Sequence, residues 1–226
     1  MTTNVNNVLT KIYDNDMFED ELYFVGGTAL AYYLNHRISE DIDIVSSSIL
    51  KHRNIIPNMN IFGAKKLQDE NTSALRLAGL VPDEFILKFV LDNVKIEFFQ
   101  ANRPIQKEIL SQATFSSFEN SKLKILDLKS IAKLKLVALV MRDKSRDLFD
   151  FGAILENKLF TKDEIIELFS KIDNKINSAE HIVKFIKSKK EPQDDEAVYL
   201  SQSNRIDLNF EEIKEKIIEE VAKFII

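Results

Sequence analysis

The chain has 226 residues, 45% of them apolar and 30% charged, with 31 basic against 36 acidic side chains for a net charge of −5. That apolar content supports a packed core and excludes a disordered chain, while the acidic balance argues against a general nucleic-acid binder, which needs surplus Lys and Arg to displace phosphate counterions. With no cysteine, disulfides, thiolate metal sites and a cysteine nucleophile are excluded together, and a reducing, cytoplasmic compartment is expected.

The N-terminus lacks a basic region followed by an apolar stretch, and no run of 18 apolar residues occurs, so neither secretion nor a membrane role is expected. Charge is unevenly spread: residues 1–50 hold two basic and eight acidic side chains, and residues 121–146 hold eight basic and two acidic. If the two segments meet, one side suits a metal and the other a polyphosphate; the plainer reading is two solvated faces.

In chain order, Leu22-Tyr23-Phe24-Val25 reads as a short buried strand, Gly26-Gly27 as a tight turn, and Thr28 to Leu34 as a helix. Glu40 to Val45 alternates acid with aliphatic, the period of a half-buried strand, which puts Asp41 and Asp43 on one face. Residues 85–99 predict a hairpin turning at Asp92-Asn93, with Val94, Ile96 and Phe98 toward the core and Lys95, Glu97 and Phe99 on the other side. After Pro104 the pattern turns helical, with helices expected over 105–112, 126–141, 146–155, 162–172 and 177–187. Residues 188–207 have linker composition, and 210–226 form a last amphipathic helix.

Two acids at i and i+2 often only line the wet face of an edge strand. Here they follow a Gly-Gly turn that opens a helix. Such a turn offers free backbone N–H groups and a positive helix end to an anion, and paired carboxylates offer the hard oxygens that Mg²⁺ combines with substrate phosphates. The combination describes a site for a magnesium nucleotide.

The segment FVGGTALAYYLNHRISEDIDIVS resembles the AbiEii/AbiGii abortive-infection toxins, a family of nucleotidyltransferases. It matches their signature at Gly26, Gly27, Thr28, Ala29, Leu30, His36, Arg37, Ser39, Asp41 and Asp43. A second block, KLVALVMRDKSRDLFDF, is similar to the family's at Lys135, Ala138, Leu139, Arg142, Lys144, Arg146, Asp147 and Asp150. The resemblance implies transfer of a nucleoside monophosphate from an NTP to an acceptor hydroxyl, RNA among the candidates, with pyrophosphate leaving. It implies Mg²⁺ on Asp41 and Asp43, with Glu97 of VKIEFF as third ligand or base. Gly26, Gly27 and Thr28 would cradle the phosphates. His36, Arg37 and Ser39 lie between that turn and the acid strand, within reach of a nucleotide, while His36 reads equally as a helix-end cation and Ser39 as a turn residue. The resemblance further implies an antitoxin encoded nearby.

Lys135 is the only charge in an apolar octet, so it either snorkels to solvent or faces an anion in a cleft. Arg142 lies seven residues on, along the same helix face, and the two are expected to address one polyphosphate. Arg146, Asp147 and Asp150 read as caps, salt bridges or nucleotide contacts, with Asp147 positioning Lys135 or Arg142. His52 and His181 are expected to be surface residues. The expected fold is α+β: a nucleotidyltransferase-type mixed sheet with flanking helices over 1–104, then a helical domain over 105–226 that closes the nucleotide cleft. The competing functions are a nucleotide-binding module without turnover and a nucleotidyltransferase acting on a small molecule such as an antibiotic.

Overall fold

The computed structural model describes residues 1–69, 72–192 and 209–223. The chain divides into two compact units, the first made of residues 1–33 and 39–127 and the second of 34–38 and 128–226.

The first unit carries helices α1 (Thr3–Ile12), α2 (Gly26–Leu34, whose last residue counts with the second unit), α3 (His52–Ile61), α4 (Thr72–Leu77) and α5 (Pro104–Gln112). Its strands are β1 (Leu22–Val25), β2 (Ile42–Ser46), β3 (Lys65–Leu67), β4 (Ile86–Leu91), β5 (Val94–Gln100), β6 (Phe115–Ser117) and β7 (Lys124–Leu126). They form one mixed sheet in the order β3-β4-β5-β2-β1-β7-β6. β1 runs antiparallel to β2 and parallel to β7, and β2 runs parallel to β5. The edge strands β3 and β6 have three residues each, short enough to leave little unpaired backbone for another chain.

The expected hairpin is β4 and β5. Asp92 and Asn93 both take positive φ, 49° and 63°, the backbone of a two-residue turn whose twist suits paired strands. Val94, Ile96 and Phe98 are buried as expected, and Phe98 packs edge-on against Phe89 with ring centroids 6.0 Å apart. Buried Val5, Val8, Leu9 and Ile12 of α1 complete this core with Phe24, Ile42 and Ile44. The unit extends past Pro104, where the pattern turns helical, because β7 pairs with β1 and thereby ties α5 and β6 to the sheet.

In the second unit α6 (Leu128–Met141), α7 (Ser145–Glu156), α8 (Lys162–Ile172), α9 (Ala179–Ser188) and α10 (Phe210–Ala222) pack around Leu136, Leu148, Phe151, Phe169, Ile186 and Ile217. α6 buries residues on most of its circumference, as a helix apolar all round must. Capping boxes start α8 at Thr161 with Glu164 and α10 at Asn209 with Glu212, each satisfying backbone donors a helix leaves open. Of the linker-like stretch 188–207, Ser188 closes α9 and residues 193–207 lie outside the described residues, as do 208 and 224–226. Among the described residues no helix is long and apolar enough to cross a membrane.

Candidate active site

In the α+β unit, β1 ends at Val25 and α2 begins at the next residue, so the chain turns from strand to helix with no loop between. Gly26 makes this possible with φ +79°, a conformation that a Cβ disfavours. It serves a second purpose. A Cβ on Gly26 would fall 2.7 Å from Asp43 Cγ and closer still to Oδ2, so only glycine lets this carboxylate lie against the helix start.

Asp43 reaches that position through the sheet register, which pairs it with Val25 on β1 and with Glu97 on β5. β2 starts at Ile42 rather than at Glu40 because the facing chain has already become α2, leaving Asp41 no strand to pair with on that side. Thr28 is fully buried and its hydroxyl donates to the Asp41 carbonyl, so its side chain fixes the acid's backbone. Asp41 and Asp43 remain half-buried at the strand head, and Ser39 is buried two residues upstream.

Glu97 stands on the same rung as Asp43, but its carboxylate is claimed from the other side. Its Oε2 lies 3.6 Å from Lys88 Nζ and 3.7 Å from Lys95 Nζ. Lys88 is itself held 2.6 Å from Oδ2 of Asp69, whose carboxylate is nearly buried. Burial alone would lower the Lys88 pKa, but Asp69 and Glu97 together hold it above the ordinary lysine value. Among the described residues no three His, Asp or Glu side chains gather as a metal cage. Two hard carboxylates beside a helix N-terminus do fit a Mg²⁺ whose remaining ligands are nucleotide phosphates, the mixture that ion favours.

The role of Lys88 is readable only after the hairpin register is fixed. Once Asp92-Asn93 is the turn, counting back pairs Leu91 with Val94 and Lys88 with Glu97. Asp69, outside any strand, gives no such signal.

The helical unit holds a second set of charges. Asp150, with no exposed surface, accepts from Arg37 Nε at 2.6 Å and Nη2 at 3.1 Å, lies 2.8 Å from Lys135 Nζ, and pairs with His36 Nε2 at 2.7 Å. Asp147, one helix turn earlier, accepts from Arg142 Nε at 2.6 Å and Nη2 at 3.0 Å, with Lys135 Nζ 3.7 Å away. Burial pushes both carboxyl pKa values up, yet Arg37 and Lys135 hold Asp150 well below the usual carboxylate range, and Arg142 and Lys135 lower Asp147.

Lys135 therefore neither snorkels nor stands open to a cleft. Its side chain is 7% exposed and two aspartates neutralise it. Arg37 likewise spends its guanidinium inside the unit, its Nη1 donating to the Ile38 carbonyl at 3.0 Å. Arg142 is the network's solvent-facing cation, with its side chain 47% exposed. Asp147 supports both Lys135 and Arg142, while Arg146 lies half-buried in the first turn of α7. Lys189, inside the stretch of linker composition, donates to the Arg142 carbonyl at 2.7 Å and pairs with Asp143 at 2.9 Å.

The family described as nucleotidyl transferase AbiEii toxin, Type IV toxin–antitoxin system, matches residues 8–223. The chain belongs to the AbiEii family. It is a nucleotidyltransferase by that membership, and its fold agrees. A crystal structure of an H. pylori protein assigned as a nucleotidyltransferase superposes with a TM-score of 0.53 at 17% identity, covering 99% of this chain and 95% of that one. MenT4, the nucleotidyltransferase toxin Rv2826c of Mycobacterium tuberculosis H37Rv, gives 0.54 at 14% identity, covering 98% and 83%. An uncharacterized protein of Aquifex aeolicus, aq_aa25, is 24% identical over 152 residues, which take in 67% of this chain and 66% of that relative's length. The two matched structures show that the sheet and helices described above are a nucleotidyltransferase fold.

Proposed function

We propose that this AbiEii protein transfers a nucleoside monophosphate from an NTP to an acceptor hydroxyl, releasing pyrophosphate, and that it acts as a toxin counteracted by an antitoxin. The observation that carries this reading is the contact of Asp43 with Gly26, which brings an acid to the N-terminus of α2 with Asp41 two residues away. Asp41 and Asp43 hold the metal of a magnesium nucleotide. A Mg²⁺ held by these two carboxylates would supply positive charge against the phosphates.

The first backbone N–H groups of α2, from Gly26 to Thr28, have no partner one turn back and donate to phosphate oxygens. Glu97 takes the proton of the attacking hydroxyl or joins the metal. In the helical unit, Arg142, held by Asp147, is the cation assigned to phosphate, with Asp147 and Lys135 as its positioning residues and Asp150, paired with Arg37, holding Lys135 in turn. Calorimetry with Mg²⁺ and each NTP on wild type, Asp41→Asn and Asp43→Asn tests the site. Binding that survives in both folded variants removes it.

One observation favours a second reading. Glu97 is already engaged by two lysines, the arrangement expected if the protein binds nucleotide without turning it over. Incubation with α-labelled NTPs and either total RNA or a small-molecule extract decides: labelled RNA or a labelled small product identifies the acceptor class, and nucleotide binding with no labelled product supports the binding module.

A further inference from the structure

One rung of the sheet reads Val25, Asp43, Glu97, Lys88 across β1, β2, β5 and β4. Residues paired in register point to the same face, so Glu97 stands between a like charge and an opposite one, each about 4.8 Å away in strand spacing. The opposite charge has the stronger hold. Lys88 Nζ is pinned by Asp69 at 2.6 Å, and its side chain is 23% exposed, whereas Lys95 is 43% exposed and approaches from its own strand. Lys88 cannot follow Glu97 toward Asp43 without abandoning an almost buried carboxylate, a costly separation.

We propose that Lys88, fixed by Asp69, is a positioning residue that holds Glu97 away from the metal of Asp41 and Asp43 until a metal-bound nucleotide competes for it. Glu97 is then a switched ligand rather than a standing one, which accounts for the lack of a three-carboxylate cage among the described residues. The inference rests on the metal role proposed for Asp41 and Asp43, and its test separates the two.

The test uses the full chain and Mn²⁺ as probe, with free ion measured by electron paramagnetic resonance in the absence of nucleotide. Lys88→Gln, and Asp69→Asn combined with Lys88→Gln to retain a neutral hydrogen-bonding pair, should each bind Mn²⁺ at least about fivefold more tightly than wild type. Adding Glu97→Gln should erase the gain. Unchanged or weaker affinity in the folded variants overturns the proposal, as does a gain confined to Lys88→Gln and absent from the charge-neutral double variant, which would be a general field effect, or a gain that persists with Glu97→Gln, which would owe nothing to Glu97. Asp41→Asn reports on the underlying reading. Mn²⁺ binding indifferent to Asp41→Asn removes the metal site and the proposal with it, whereas binding lost in Asp41→Asn but untouched by the Lys88 variants removes the proposal alone.

Discussion

Lys135 Nζ and Asp150 Oδ2 lie 2.8 Å apart inside the helical unit, with the lysine side chain 7% exposed and the aspartate fully buried. A buried pair of this kind is held together chiefly by the cost of exposing either charge to an apolar surrounding without the other. Asp150 also receives Arg37 and His36, so it is the hub and Lys135 one of its spokes.

This asymmetry predicts an order of stabilities. Asp150→Ala strips Arg37, Lys135 and His36 of their shared partner and should cost about 3 to 5 kcal/mol. Lys135→Met leaves Asp150 with Arg37 and His36 and should cost less, about 1 to 3 kcal/mol. Urea denaturation of both variants checks the ranking; a Lys135→Met protein as stable as wild type would contradict the network and restore a lysine reserved for ligand.

Asp150 and its neighbour Asp147 set an acid limit. Their folded pKa values lie below the unfolded value of about 3.9. The unfolded chain therefore takes up protons first as pH falls, and the stability these groups supply is complete above that value and lost as pH drops toward their folded pKa values. Stability measured from pH 6 to pH 2 should fall more steeply below about pH 4 in wild type than in Asp150→Asn.

Gly26 and Gly79 share a left-handed backbone, φ +79° and +74°, but only Gly26 has a side chain against it. Gly79→Ala should cost about 1 to 2 kcal/mol of backbone strain and leave nucleotide binding intact. Gly26→Ala should pay the same strain and also displace Asp43, abolishing NTP binding. Equal binding by the two variants would show that the Asp43 contact is incidental.

Expression of the chain alone is expected to slow bacterial growth, and Asp41→Asn to relieve it at matched soluble protein. A transferase that blocks the hydroxyl an essential acceptor needs must act only once per molecule, so turnover below the common range of about 1 to 10³ per second suffices. Growth curves of the two strains in parallel are the measurement, and equal arrest in both would separate toxicity from the metal site.

Composition alone excluded cysteine chemistry, and local pattern placed the strand–glycine–helix junction, the β4–β5 hairpin and most helices of the second unit. These are short-range properties: a backbone needing positive φ, a period of two, or an apolar run without breakers leaves its mark on neighbouring residues. β3, β6 and β7 left no such mark, being three residues long and defined by the strand beside them rather than by their own alternation. The acids at 41 and 43 were legible as a pair by their spacing, although β2 begins at Ile42 and leaves Asp41 just outside the strand. The partners of Lys135 and Arg37 were not, since Asp150 lies 113 residues from Arg37 and only packing decides which buried charge meets which. Nor could spacing show that Lys122, in the basic stretch, pairs with Asp16 and Glu19 of the acidic one. A charge in sequence has a sign; its partner is chosen by tertiary structure, because desolvation rewards proximity in space and is blind to distance along the chain.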